Sequence, residues 1–270
     1  MKGLTHGDVR TGVLFGFFKD VEALQKQFST PHVIFCFDYG KGLRKEFFPE
    51  YKIKRSKKKK ELTGEEKEIE SEFRKHENLL RKKILPKLGY SNVFYQDGYE
   101  GDDVVASVTK NLPEGDEAIM VTSDKDLLQL VTKRVTFYNP QTMKMTTIQS
   151  FKKEYGIESK DWWKVKALGG CTTDEVPGVP KVGEGTALKY LRGELPKHYV
   201  TYKNIKSKEG IAIRKRNVRL VRLPYPNTQI FELREDNLCP KKWKSFAKAF
   251  GFASMLKKKQ VRTPRKGLIK

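Results

Sequence analysis

The sequence predicts an α/β fold, with a mostly parallel central sheet flanked by helices. Two observations carry this expectation. Between residues 33 and 138, short β-rich runs alternate with stretches of helical spacing, the pattern of parallel strands joined by crossover connections. The 270 residues are also enough for one large domain, or a core with a smaller appendage, at about 150 residues per domain.

The elements follow in order. Val13, Leu14, Phe17, Phe18, Val21, Leu24 and Phe28 recur at three- and four-residue steps and predict an amphipathic helix over 11–28, ended by Pro31. Val33 to Phe37 is a continuous apolar run, the mark of a strand buried on both faces. Residues 39–60 are basic and aromatic and end in Lys57–Lys60. Thr63 with Glu66 forms a capping box that opens a long helix. Ile69, Phe73, Leu80 and Ile84 give that helix its apolar stripe, and Pro86 and Gly89 close it.

Strands are expected at 92–95, 117–122 and 135–138, with a helix over 102–111 and a helical turn over 124–130. After residue 150 the pattern changes to short helices at 162–168 and 183–191, joined by a Pro-Gly segment from Pro177 to Gly183. Two regions result: an α/β core over 1–150 and a second region over 151–270 that ends in a frayed basic tail.

Composition narrows the function. Lys and Arg number 55 against 33 Asp and Glu, a net charge of +22. Such a balance suits nucleic acid, because cationic side chains that neutralise phosphates release condensed counterions. The basic residues are spread along the whole chain, which argues against a membrane-surface cluster. No apolar run approaches the length that spans a bilayer, and the start lacks the pattern of a secretory signal. Cys36, Cys171 and Cys239 are widely spaced and form no disulfide framework, so a soluble protein of a reducing, cytoplasmic compartment is expected.

The acids sit at strand ends. Asp38 follows the strand at 33–37, Glu100, Asp102 and Asp103 follow the strand at 92–95, and Asp124 and Asp126 follow the strand at 117–122. Carboxyl ends of parallel strands share one edge, where ligands bind. Carboxylates gathered there repel one another unless a cation sits among them, and oxygen-only ligands favour Mg²⁺ or Mn²⁺. Each acid also has a plainer role, as a helix cap or a turn residue. In a basic protein, two such ions roughly 4 Å apart would serve phosphodiester hydrolysis.

These motifs resemble the 5′-nuclease, or flap endonuclease, family. Phe37-Asp-Tyr-Gly-Lys-Gly-Leu-Arg44 with Pro49-Glu-Tyr-Lys-Ile-Lys-Arg55 is similar to its second acidic motif and the entry to its helical arch, placed here at about 39–88. Gly98-Tyr-Glu-Gly-Asp-Asp103 and Thr122-Ser-Asp-Lys-Asp126 resemble its next two acidic motifs. Asp174 through Ala187 resembles its helix–hairpin–helix DNA-binding segment, and Arg219 to Phe252 looks like the phage branch.

The resemblance implies roles. Asp38, Glu100, Asp102 and Asp103 would hold one metal ion, and Asp124, Asp126 and Asp174 the second. Lys52 and Arg55 would face the scissile phosphate. Arg44, Tyr51, Lys57, Lys58, Gly178, Lys181, Gly183 and Gly185 would meet DNA, Tyr51 either by stacking on a base or by packing the base of the arch. Backbone carbonyls of Val179 and Val182 would hold K⁺. The implied activity is Mg²⁺-dependent cleavage of 5′ flaps, 5′ ends or RNA–DNA primers, in a bacterial or phage-infected cell, alongside a polymerase or single-strand binding protein. The other reading is a DNA-junction binding module without catalysis.

Two departures stand out. Cys171 occupies a position where the family has an aspartate, and is either a poor Mg²⁺ ligand or a small buried filler. Family members also open with a strand ending in Asp-Gly about twenty residues before this sequence begins. Asp8, in a polar turn, and Asp20, inside a helix, cannot replace it. The expectation is an incomplete chain, or a short separate polypeptide that adds the strand.

Overall fold

The computed structural model describes residues 4–7 and 9–256. It begins with β1 (Thr5–His6), β2 (Val9–Arg10), α1 (Gly12–Gln27) and β3 (Phe35–Cys36). Next come α2 (Leu43–Phe47), α3 (Ile53–Glu61), α4 (Gly64–Leu79), a π-helical stretch over Leu80–Ile84, and α5 (Leu85–Leu88). The middle of the chain forms β4 (Val93–Phe94), α6 (Gly101–Lys110), β5 (Ala118–Val121), a 3₁₀ turn over Lys125–Leu130, β6 (Val135–Asn139), β7 (Lys144–Thr146) and α7 (Ile148–Tyr155). The rest comprises α8 (Trp162–Gly169), β8 (Gly170–Cys171), β9 (Val176–Pro177), α9 (Glu184–Leu191), α10 (Val200–Lys206), α11 (Lys208–Val221), α12 (Pro240–Ala249) and α13 (Ala253–Leu256).

By contact the chain forms two compact units. The larger joins Phe35–Lys67 to Phe94–Leu233; the other joins the residues up to Ile34, Glu68–Val93 and the stretch from Arg234. In the larger unit one apolar cluster runs from Ala106 to Leu223, centred on the fully buried Trp162, Phe151, Leu127 and Val165. It crosses residue 150, where the sequence pattern changes.

The fold is α/β, but its sheets are small. β5 and β6 pair in parallel from Ala118 with Val135 to Val121 with Tyr138. β7 then adds an antiparallel strand that alternation did not foretell. β3 and β4 make a separate pair, in which Phe37 N–H donates to the Phe94 carbonyl at 3.0 Å. The apolar run 33–37 is a strand only at Phe35–Cys36, matching the two residues of its partner β4.

In the other unit α1 buries Leu14, Phe18 and Val21 as its spacing predicts. Phe18 meets Trp243 and Phe246 of α12 edge-on, at ring separations of 5.0 and 5.2 Å. Gly89 is obligatory: its φ is +103°, and a Cβ would collide with the Asn237 carbonyl.

The long helix departs from expectation twice. Pro86 does not end it. The wider π turn over Leu80–Ile84 precedes the proline, and α5 carries it to Leu88 before Gly89 stops the chain. The apolar stripe is also only half used, since Leu80 and Ile84 are buried while Ile69 and Phe73 stay exposed. The capping box is present, with Thr63 N–H donating to Glu66 Oε2 at 2.9 Å and Glu66 N–H to Thr63 Oγ1 at 3.3 Å. Helices α7, α10, α11 and α12 were not read from the sequence. The expected frayed tail and the Asp8 turn residue lie outside the described residues.

Candidate metal centre

Three loops deliver the acids. Asp38 leaves β3, and its Oδ1 accepts the Gly101 N–H at 2.6 Å. Gly101 opens α6, where a Cβ would crowd that same oxygen. Glu100 caps α6 through a capping box with Asp103. Asp124 caps the turn after β5 by accepting the Asp126 N–H at 2.8 Å. The plain capping roles are therefore real. They fix the loops that carry the carboxylates.

Asp102 reports what these loops bring together. Burial first, and then the charges of Asp124, Glu100 and Asp38, push its carboxyl up to about 8 against the opposing pull of Lys52. The charges of Asp38, Glu100 and Asp124, carried by three loops, thus all act on Asp102, although among the described residues it is Asp126, Cys171 and Asp174 whose ligand atoms come within 4.8 Å of one another. Among the described residues no hydrogen bond or ion pair to the Asp102 carboxylate is found. Carboxylates that repel one another in this way fit a hard divalent cation.

A second group lies beside it. One ligand atom each from Asp126, Cys171 and Asp174 lie within 4.8 Å of one another. Burial raises the carboxyls of Asp126 and Asp174. The charge of Asp124 acts on both Asp102 and Asp126.

Side-chain cations thread through these acids. Lys52 Nζ lies 2.6 Å from Glu100 Oε1, and the residue adopts the left-handed region at φ +54°. Arg55 reaches Asp174 at 2.9 Å. Lys166, on α8, pairs with Asp126 at 3.0 Å and is mostly buried. Nothing local in the sequence marks Lys166, because only packing brings α8 to the turn after β5.

The structure corrects several sequence-derived assignments. Asp103 is not free to bind a metal. Arg44 grips both its oxygens at 2.6 and 2.7 Å, and the Tyr225 and Glu100 amides donate to them as well. All four lone-pair directions of the carboxylate are used. Arg44 is consequently buried and cannot face DNA; its Nε donates to the Leu220 carbonyl at 2.8 Å.

Tyr51 cannot stack on a base either. Its ring is buried among Ala167, Cys171, Val176, Leu220 and Val221, and its hydroxyl donates to Glu100 Oε2 at 3.0 Å. Burial and the neighbouring carboxylates push that phenol well above its usual range. Gly178 is small for an internal reason: a Cβ would strike the backbone of Gly169 and Gly170. Cys171 packs in the same cluster as Tyr51, yet its sulfur also reaches the acids.

The remaining candidates are exposed or backbone positions. Lys57 and Lys58 lie exposed on α3. Lys181, Gly183 and Gly185 are exposed at the amino end of α9. Val179 and Val182 are buried, and the Val182 N–H donates to the Val179 carbonyl at 2.9 Å. Sequence reading missed a row along α11 and its C-cap. Arg216, Arg219 and Arg222 lie over the rings of Phe48, Phe47 and Trp163 at 4.8, 4.0 and 5.2 Å. Their three-residue spacing was the available signal.

Comparison with known proteins bears on this site. Residues 3–156, more than half the chain, match the family described as the 5′-3′ exonuclease, N-terminal resolvase-like domain. The chain belongs to this family. The 5′-3′ exonuclease of Buchnera aphidicola (subspecies Schizaphis graminum) is 31% identical over 185 residues, 67% of this chain and 60% of that protein. DNA polymerase I of Mycobacterium leprae is 30% identical over 240 residues, 86% of this chain and 24% of the polymerase. The chain thus spans less than two thirds of either relative. The T5 5′-exonuclease with divalent zinc ions bound superimposes with a TM-score of 0.66 at 25% identity, covering 77% of this chain and 80% of that one. Among the described residues no helix is long and apolar enough to cross a membrane.

Proposed function

We propose that the chain is a structure-selective 5′ nuclease, hydrolysing phosphodiester bonds at 5′ flaps, 5′ ends or RNA primers with two divalent ions. The observation that carries the reading is the close group of Asp126, Cys171 and Asp174, with Asp102 under the charges of Asp38, Glu100 and Asp124, in a protein of net charge +22. Asp38, Glu100, Asp102 and Asp124 would hold one ion, Mg²⁺ or Mn²⁺. Asp126 and Asp174, with Cys171 between them, would hold the other. Bound there, the ions would supply an activated water and a stabilised leaving oxygen.

The chain's own groups supply the rest. Lys52 and Arg55 sit among the acids as ion-pair partners. Metal ions taking up the carboxylates would free them for an incoming phosphate, and they would offset the charge that grows on it in the transition state. Tyr51 holds Glu100 and braces Asp174. Lys181 and the open amides after Gly183 would take a duplex phosphate. Carbonyls of the Val179–Val182 turn would hold K⁺. Lys57 and Lys58 would line the path of a 5′ single strand. Kinship with DNA polymerase I supports DNA as the partner, with a polymerase or single-strand binding protein acting at the same junction.

The test is a 5′-labelled flap incubated with the protein and Mg²⁺, with and without chelator. Chelator-sensitive release of the flap is expected. Tight flap binding without cleavage would replace this reading by a junction-binding module.

A further inference from the structure

The second metal group has an unusual donor set. Cys171 lies at the end of β8, whose pairing with β9 sets it opposite Val176. Its sulfur contacts Thr173 Oγ1 at 3.0 Å and shares a 4.8 Å sphere with carboxylate oxygens of Asp126 and Asp174. A residue that only filled space would need no such reach. Asp126 and Asp174 are meanwhile neutralised by Lys166 at 3.0 Å and Arg55 at 2.9 Å, cations that an arriving metal ion can displace.

Donor chemistry then decides which ion. Mg²⁺ demands near-octahedral oxygen and sheds water reluctantly, whereas a thiolate is a soft ligand. Zn²⁺ and Co²⁺ accept one sulfur at about 2.3 Å and carboxylate oxygens at about 2.0–2.2 Å. Three protein ligands with a position left for water is the pattern of catalytic zinc sites. We propose that Asp126, Cys171 and Asp174 form a mixed thiolate–carboxylate site that selects a zinc-class ion over Mg²⁺. The all-oxygen group around Asp102 keeps the opposite preference. This rests on the two-ion reading above and refines it: the two sites of this chain differ in kind. On binding, the S–H bond breaks, sulfur bonds to the metal, and the proton leaves to the buffer.

The test is Co²⁺ titration of the metal-stripped full chain, followed by absorbance. A thiolate-to-cobalt charge-transfer band should grow in the near ultraviolet and saturate at roughly one equivalent. An excess of Mg²⁺ should leave it in place. Cys171→Ser and Cys171→Asp should abolish the band, and Cys36→Ser should keep it. Cys171→Asp should also raise the Mn²⁺ bound, read by paramagnetic resonance, from about one to about two equivalents. The aspartate variant keeps the test valid if the serine variant fails to fold. A band that survives Cys171→Asp overturns the proposal. So does a wild-type chain that binds two Mn²⁺ and shows no cobalt–thiolate band, while leaving the two-ion nuclease intact. No binding of either ion would sink both.

Discussion

Arg44 and Asp103 form a two-pronged ion pair at 2.6 and 2.7 Å, with 3% and 0% of the residues exposed. The pair is clamped from both sides: Arg44 also donates to Leu220 and lies over the Tyr225 ring, and Asp103 accepts the Tyr225 amide. It ties α2, α6, α11 and the segment after α11 together.

The first prediction concerns this pair. Removing one partner strands a buried charge, so Arg44→Met alone or Asp103→Leu alone should cost about 3–5 kcal/mol. The double substitution should recover much of the loss, because no charge is then left unpaired. Urea unfolding measures all three. A single variant that unfolds at the wild-type midpoint would contradict the structural role given to Asp103.

Asp38 and Asp124 behave differently, since both are exposed. Asp38→Asn or Asp124→Asn should lower cleavage of a labelled flap by roughly a hundredfold or more, as loss of a site's key electrostatic group does. Flap affinity should change little. Normal Mg²⁺-dependent cutting by the doubly substituted chain would remove these residues from the metal site.

The pH dependence follows from Asp102. Its carboxyl titrates at about 8 in the folded, metal-free protein, against about 4 in an unfolded chain. Between those values the folded state holds a proton that the unfolded state has lost, so stability falls as pH rises from about 4 to about 8 and then levels off. Thermal unfolding in chelator should show this decline, and Asp102→Asn should flatten it. Added divalent ion should raise the melting temperature more above pH 8 than near pH 6, since the ion binds the ionised form.

Salt dependence tests the interface. If the exposed basic groups neutralise about six phosphates, log K should fall against log salt with a slope of roughly −5. Lys181→Ala should reduce the slope by about one if Lys181 is a phosphate contact. A slope near zero in a binding titration would contradict a nucleic-acid partner.

The sequence alone determined the local features. Helix α1, the Thr63–Glu66 capping box, and the placing of acids at strand ends depend on neighbours a few residues apart, so periodicity and cap chemistry expose them. The single shared sheet edge expected for the carboxylates does not form: β3 with β4 and β5 with β6 and β7 are separate small sheets, and the acids are carried by the loops that leave β3, β4 and β5. What each acid does was decided by partners far along the chain. Asp102 and Asp103 are adjacent and chemically identical, yet α6 turns Asp103 inward onto Arg44 and leaves Asp102 under the charges of Asp38, Glu100 and Asp124. Tyr51 is an arch aromatic in the sequence and a buried brace in the structure, because α8 and α11 close over it. Lys166 and Cys171 became part of the site only when α8 and β8 packed against the turn after β5. A side chain's burial, and the charge it meets, belong to tertiary contacts between residues tens of positions apart, which no local pattern encodes.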